Sequence, residues 1–493
     1  MPVPGDDRAV SQALNRLTFG PRPGDVERVK SMGVAAWIDR QLAPSRIDDN
    51  ALTARLAGLE TLNLDAKTIA TEYAGPAMRE RRERQLARAK DGMEPAPPPG
   101  PGRGMGPVSE AQRKDREVIA DLESAKLLRA VYSERQLEEV LVDFWFNHFN
   151  VFAGKGATRN YITQYEREAI RPYVFGRFRD MLGATAKSPA MLFYLDNWQS
   201  ADPRAGERRR LKPSPSMNPL EDERRRLKPS PSTDSLMEGR GFSPGRRMPK
   251  GINENYAREL MELHTLGVDG GYTQKDIVEV ARAFTGWTIR PRQGSGFIFA
   301  APMHDNGEKK VLGQVIKAGG GVGDGEQVLD ILASHPSTAH FIALKLATRF
   351  VSDNPPAALV DRAAARFTAT RGDLREVVRT IITSPEFFAP EAYRAKVKTP
   401  LEFVASAVRS TGAEVRNPLP LARELRDQGM PLYFCQPPTG YDDKAATWVS
   451  SGALVSRMNF AVKLGENSLP GVRLPNAGKQ LALTIGSPDF QRR

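Results

Sequence analysis

The stretch NENYARELMELHTLGVDGGY, residues 253–272, gathers three glutamates, an arginine, a histidine and two asparagines. Imidazole and carboxylate groups do acid–base work when they share a partly dry pocket, because desolvation and neighbouring charge retune their proton affinity. On a helix, His264 falls on the stripe of Ala257, Leu260 and Met261 and so faces inward. His148 lies on the apolar stripe of its own segment, beside Asn147. With Glu259 these give a candidate catalytic set of His148, Glu259 and His264. Asn147, Asn255 and Trp287 are candidates to orient or stack against a substrate. The adjacent pair His304 and Asp305 are candidate ligands for one divalent metal ion, which would activate water. The structural alternative is that each inward histidine is a core residue bonded to a carbonyl or carboxylate.

The remaining charges of the stretch read differently. Glu254, Arg258 and Glu262 are spaced i, i+4, i+8 and share a helix face, so Arg258 is placed to bridge both acids as a structural ion-pair ladder. Glu259 sits on another face, with no cation three or four residues away, which makes it the better candidate for chemistry. Glu262 and His264 are two residues apart, about 200° around a helix, and do not ligate one metal together.

Familiar constellations mostly fail. No histidine has a glutamate three residues before it, so the di-iron bundle signature is missing, and H-E-x-x-H is missing too. GFSPG (241–245) matches G-x-S-x-G, but it sits in an arginine–proline stretch with no preceding strand, so it is not a nucleophile elbow. There is no phosphate-binding glycine motif. Cys435 is the single cysteine, which excludes an internal disulfide, a cysteine-rich zinc site and haem attachment.

The elements that must position these residues are helical. Residues 134–152 place Leu137, Val140, Leu141, Phe144, His148 and Val151 on one stripe. Ser188 is an N-cap followed by Pro189 at the first helical position. Asn253 caps a helix running to about Leu266, and Gly267 stops it. Thr273 and Asp276 form a capping-box start for a helix that buries Ile277, Val280, Ala281 and Phe284. Pro336 opens a helix over 335–351. One exception is 296–313, where two β-prone runs flank Asn306-Gly307 and predict a small hairpin. The expected fold is mainly α, a multi-helix bundle-like body with one hairpin and two low-complexity loop insertions. The expected organisation is an N-terminal helical region (1–74), a basic Pro/Gly-rich insertion (75–117), core helices (118–199), an Arg/Pro-rich insertion (200–250), core helices with the hairpin (251–465) and a tail (466–493).

The insertions also explain the charge. The net charge is +12, yet residues 75–117 carry 10 Lys/Arg against 7 Asp/Glu and residues 200–250 carry 13 against 7. The second insertion repeats ERRRLKPSPS at 207–216 and 223–232, two copies of a polar decamer too short for a solenoid unit. Basicity confined to polar loops argues against specific nucleic-acid recognition and leaves polyanion binding through the loops as a weaker option. No run of about 18 apolar residues is present, so no transmembrane helix is expected. Asp6 and Asp7 stand where a signal peptide needs positive charge, so no leader is visible and the sequence reads as cytoplasmic.

Several segments together resemble one bacterial family of unknown function, DUF1800. They are LNRLTFGPRPGDVERVKSMGVAAWIDRQL (14–42), FWFNHFNV (144–151), YEREAIRPYVFGRFRDML (165–182), SPAMLFYLDN (188–197), NENYARELMELHTLGVDGGYTQKDIVEVARAFTGWT (253–288), HDNGEKKVLG (304–313), HPSTAHFIALKLATRFV (335–351) and QPPTGY…WVSSGALVSRMNFA (436–461). The resemblance implies a large, mainly helical bacterial protein. It also implies export to the periplasm or beyond, against the missing leader, and genomic proximity to a sulfatase-like family, DUF1501. Two functions follow as expectations: a metal-assisted or acid–base hydrolytic enzyme with a His/carboxylate pocket, or a non-catalytic helical scaffold or partner of the sulfatase-like neighbour.

Overall fold

The computed structural model describes residues 3–90, 108–204, 251–291, 294, 296–476 and 478–493. Among these the fold is mainly helical, with only three two-stranded antiparallel sheets. The stop and start signals act as read. Ser188 caps Pro189–Tyr194 by accepting from the Ala190 amide, Asn253 caps Glu254–Met261 by accepting from the Tyr256 amide, and Thr273 with Asp276 forms the capping box of Gln274–Ala283. His335 itself caps Pro336–Phe350, its ring accepting from the Ser337 amide at 3.2 Å.

One apolar core runs through the chain, from Ala9 in the first helix to Ile485 in the last. Helix Gln136–His148 contributes Leu137, Val140, Leu141 and Phe144 to it, all buried on the predicted stripe. The ends of the chain are tied together inside. Arg16 donates to the Ala392 carbonyl at 2.6 Å, and Arg349 holds Glu402 at 2.9 Å and Asp443 at 3.2 Å. Arg493 reaches the same Glu402 at 2.8 Å. Removing one partner from such buried pairs strands the other charge, so this network fixes how the terminal helices seat.

Two readings of local structure need correction. The stretch 75–117 is not a loop throughout: Gly75–Lys90 is helical, and Ser109 starts Glu110–Tyr132 with a capping box. Residues 91–107 of that insertion lie outside the described residues. So do the ERRRLKPSPS repeat and GFSPG. The hairpin is also displaced. The two β-prone runs do not pair with each other: Ile298–Phe299 pairs with Trp287–Thr288, and Lys309–Val311 pairs with Gln314–Ile316. The reversal falls at Leu312 and Gly313, with φ of 49° and 81°, the left-handed pair that a tight two-residue turn requires. Asn306-Gly307 is used otherwise. Asp305 accepts from the Gly307 amide at 2.8 Å, and the Lys309 ammonium takes the Asp305 and Gly307 carbonyls at 2.6 and 2.8 Å. The loop is wrapped around a buried cation.

Candidate functional site

His148 and His264 come together. Helix Gln136–His148 ends at one imidazole. The other sits in a π-helical turn, Glu262–Leu266, that continues Glu254–Met261. Thr265 favours that wider turn by donating its hydroxyl to the Leu260 carbonyl at 2.7 Å. Both rings are buried, with centroids 6.3 Å apart, and both pack on Phe149, at 4.5 and 5.1 Å. His148 Nε2 donates to the His264 carbonyl at 3.1 Å. His148 Nδ1 and His264 Nε2 have no hydrogen-bond partner among the described residues. Burial pushes the His264 pKa down to about 3, and the nearby Lys345 charge adds to the effect. His148 is held well below its usual value by burial, then by Lys345 and His264. Both rings are therefore neutral at physiological pH.

The other predicted residues are distributed around separate ties. Glu259 is half-buried and has no ion-pair or hydrogen-bond partner among the described residues. Burial raises its pKa, Glu262 adds to the rise and Arg258 opposes it. Asn255, on the same helix, is exposed. Asn147 is engaged at both ends of its amide: Nδ2 donates to the Tyr441 carbonyl and Oδ1 accepts from the Tyr441 amide, each at 2.7 Å. Trp287 is buried between Phe284 and Phe297, with ring centroids at 4.8 and 5.0 Å, and so presents no face for stacking on a substrate.

His304 and Asp305, the candidate metal ligands, are each engaged with other groups of the protein. His304 Nδ1 donates to the Thr285 carbonyl at 2.8 Å, and Nε2 faces Asp324 Oδ2 at 3.1 Å. Asp305 is paired with Arg282 at 2.8 Å, and that guanidinium with the Gly307 amide holds its carboxyl at about 2 despite partial burial. Both side chains are occupied, and among the described residues no three His, Cys, Asp or Glu side chains converge on a metal position. The ion-pair ladder also changes form. Gln274 stands between the expected partners, accepting from Arg258 at 2.9 Å and donating to Glu254 at 2.7 Å, while Glu262 accepts from Tyr272 at 3.1 Å. The next helix supplies Gln274 and the turn before it supplies Tyr272, partners that spacing along one helix does not reveal.

The sequence reading missed three groups here. Lys309 and Asp324 form a fully buried pair at 2.6 Å beside His304. Lys345, on helix Pro336–Phe350, lies close enough to His148 and His264 for its charge to depress both rings. The available signal was a lone charge inside an apolar run for Lys345, in FIALKLA; Lys309, in GEKKVLG, and Asp324, in GVGDGEQ, carried no such signal. A cavity of about 20 Å³, room for about one water, is lined by Arg22, Asp25, Glu134 and Arg409 and by none of the histidines.

The fold and this arrangement define a large helical protein with a single core, whose polar signature residues mostly tie neighbouring segments together. The sequence profile described as "Protein of unknown function (DUF1800)" matches residues 12–492, and the chain belongs to that family. No curated protein and no solved structure matches it.

Proposed function

We propose that this chain is a non-catalytic helical scaffold that docks a protein partner through its C-terminal helices. The observation that carries the reading is an uncharged apolar face left in solvent. Helix Ser451–Gly465 buries Arg457, Phe460, Ala461 and Leu464 inward and turns Leu454, Val455, Met458 and Val462 outward, with Val455 and Met458 more than half exposed. Val449 precedes this stripe, and the neighbouring helix Lys479–Gly486 adds the exposed Leu483. From 449 to 462 the single charged residue is the buried Arg457. On a chain of net charge +12, a contiguous neutral apolar stripe is the signature of an interface. Its width, one helix face, fits a partner that presents an apolar helix.

The hydrolytic reading has less support. A general base works best with a pKa near the operating pH, and His264, at about 3, is far from it. Of the basic segments that would carry polyanion binding, residues 91–107 and 205–250 lie outside the described residues. The sulfatase-like DUF1501 protein expected from the family resemblance is the partner to test. Co-expression and affinity recovery of that protein on the tagged chain, compared with a Val455→Asp/Met458→Asp variant, decides the matter. The two substitutions are exposed and change stability by only about 0.5 kcal/mol each. Loss of recovery with an unchanged melting temperature is expected. Equal recovery on the variant, or none on the unaltered chain, overturns the reading.

A further inference from the structure

The cavity at the N-terminal helices carries charge that its own residues do not balance. Four guanidiniums line it, those of Arg22, Arg28, Arg40 and Arg409, against the two carboxylates of Asp25 and Glu134. Four against two leaves an excess of two positive charges. Both carboxylates are already shared. Glu134 takes Arg22 on one oxygen and Arg28 on the other, the latter at 3.2 Å. Asp25 takes Arg28 on Oδ1, while its Oδ2 accepts from the Arg22 amide at 2.8 Å. Arg409 is buried on helix Pro400–Ser410 and reaches that same Oδ2 only at 3.4 Å. Its other contacts are the neutral Gly20 and Val131 carbonyls, at 2.5 and 2.6 Å. Buried charges ordinarily have a close partner of opposite sign, and Arg409 has only a shared and more distant one. Arg40 has none: its side chain makes no hydrogen bond or ion pair among the described residues. Burial lowers the Arg409 pKa to about 9, and the Arg22 charge adds to the effect.

Space and charge together select the ligand. The enclosed part, about 20 Å³, takes one oxygen-sized atom, and the cavity meets solvent where Arg28 and Arg40 are exposed. A ligand therefore places one oxygen inside and keeps its other atoms at the mouth, between these two side chains. A chloride ion or a single carboxylate leaves the cluster positive. A phosphate dianion cancels both excess charges, and its oxygens suit the forked donors of arginine. We propose that this cavity binds a phosphate group as its dianion, with one oxygen inside beside Arg409 and the others held by Arg28 and Arg40. Inorganic phosphate and the phosphate of a small monoester present the same group. No lining residue belongs to the C-terminal helices, so phosphate binding and partner docking can each fail alone.

Calorimetric titration tests it. The full chain is titrated at pH 8, where a phosphate monoester has lost its second proton, with inorganic phosphate and separately with glycerol 1-phosphate. Sodium chloride keeps the ionic strength constant. Saturable binding of one equivalent is expected for at least one titrant, and the tighter of the two identifies the source of the group. Arg40→Gln removes one positive charge from an exposed, unpaired side chain, so the melting temperature is expected to stay unchanged while phosphate binds about tenfold more weakly. No saturable binding of either titrant, or equal affinity in the Arg40→Gln variant, overturns the proposal.

Discussion

His148 donates from Nε2 to the main-chain carbonyl of His264, 3.1 Å away, so one histidine is anchored to the backbone of the other rather than to its ring. The link joins the C-terminal end of helix Gln136–His148 to the π turn that closes Glu254–Met261. It leaves on each ring a nitrogen with no partner among the described residues, inside an aromatic enclosure.

That burial makes stability depend on pH with a definite sign. Unfolded histidines titrate near 6.5, whereas folded His264 titrates at about 3 and His148 well below its usual value. Between those limits the unfolded chain binds more protons, so stability is present above about 6.5 and is lost as pH falls. Each histidine contributes about 1.4 kcal/mol per pH unit in that window. His264→Phe, which keeps an aromatic ring against Phe149, is expected to shrink the stability difference between pH 7 and pH 5 by about 2 kcal/mol. Urea melts at the two pH values measure it; an unchanged difference would mean that His264 is protonated in the folded state.

Lys309 and Asp324 give a second test, of stability alone. Asp324 Oδ2 receives the Lys309 ammonium at 2.6 Å and faces His304 at 3.1 Å, all fully buried. Asp324→Asn leaves Lys309 enclosed without its counter-charge and is expected to cost about 3–5 kcal/mol. The double change Lys309→Met/Asp324→Leu removes both charges and is expected to cost less than Asp324→Asn alone. Chemical denaturation of the three proteins decides it. A double variant weaker than the single would mean that Lys309 is held mainly by the Asp305 and Gly307 carbonyls.

Periodicity and caps carried the helices, because Asn253, Thr273 and Ser188 satisfy backbone groups a few residues away, within the reach of sequence reasoning. The pairing of His148 with His264 was foreseen only as convergence of inward faces. What sequence alone could not reveal are partners supplied from other elements. Gln274 splits the Glu254–Arg258 pair, Arg282 occupies Asp305, and Asp324 occupies His304. Asn306-Gly307 misled for the same reason. A turn preference of order 1 kcal/mol yields when Lys309, three residues after Asn306 and two after Gly307, needs carbonyls to bury its ammonium.

Gly440 controls the loop over the histidine helix. Its φ is +72°, and a Cβ there would lie 2.3 Å from the Asn147 carbonyl oxygen and 2.5 Å from Asn147 Oδ1. Contacts that short are not accommodated by small shifts, because one of the atoms is backbone at the end of helix Gln136–His148. Asn147 clamps Tyr441 through both amide groups, and Tyr441 is followed by Asp442 and Asp443, the acids that act on Lys345. Gly440→Ala is therefore expected to break the clamp without touching the core. Hydrogen exchange at the Tyr441 amide should rise by at least tenfold, equivalent to about 1.4 kcal/mol of lost local protection, while amides of helix Pro400–Ser410 keep theirs. If Tyr441 stays protected, the loop is held by Tyr194 on Gln436 at 2.6 Å and by Trp448 on the Asp442 carbonyl at 2.8 Å, and Asn147 is dispensable to it.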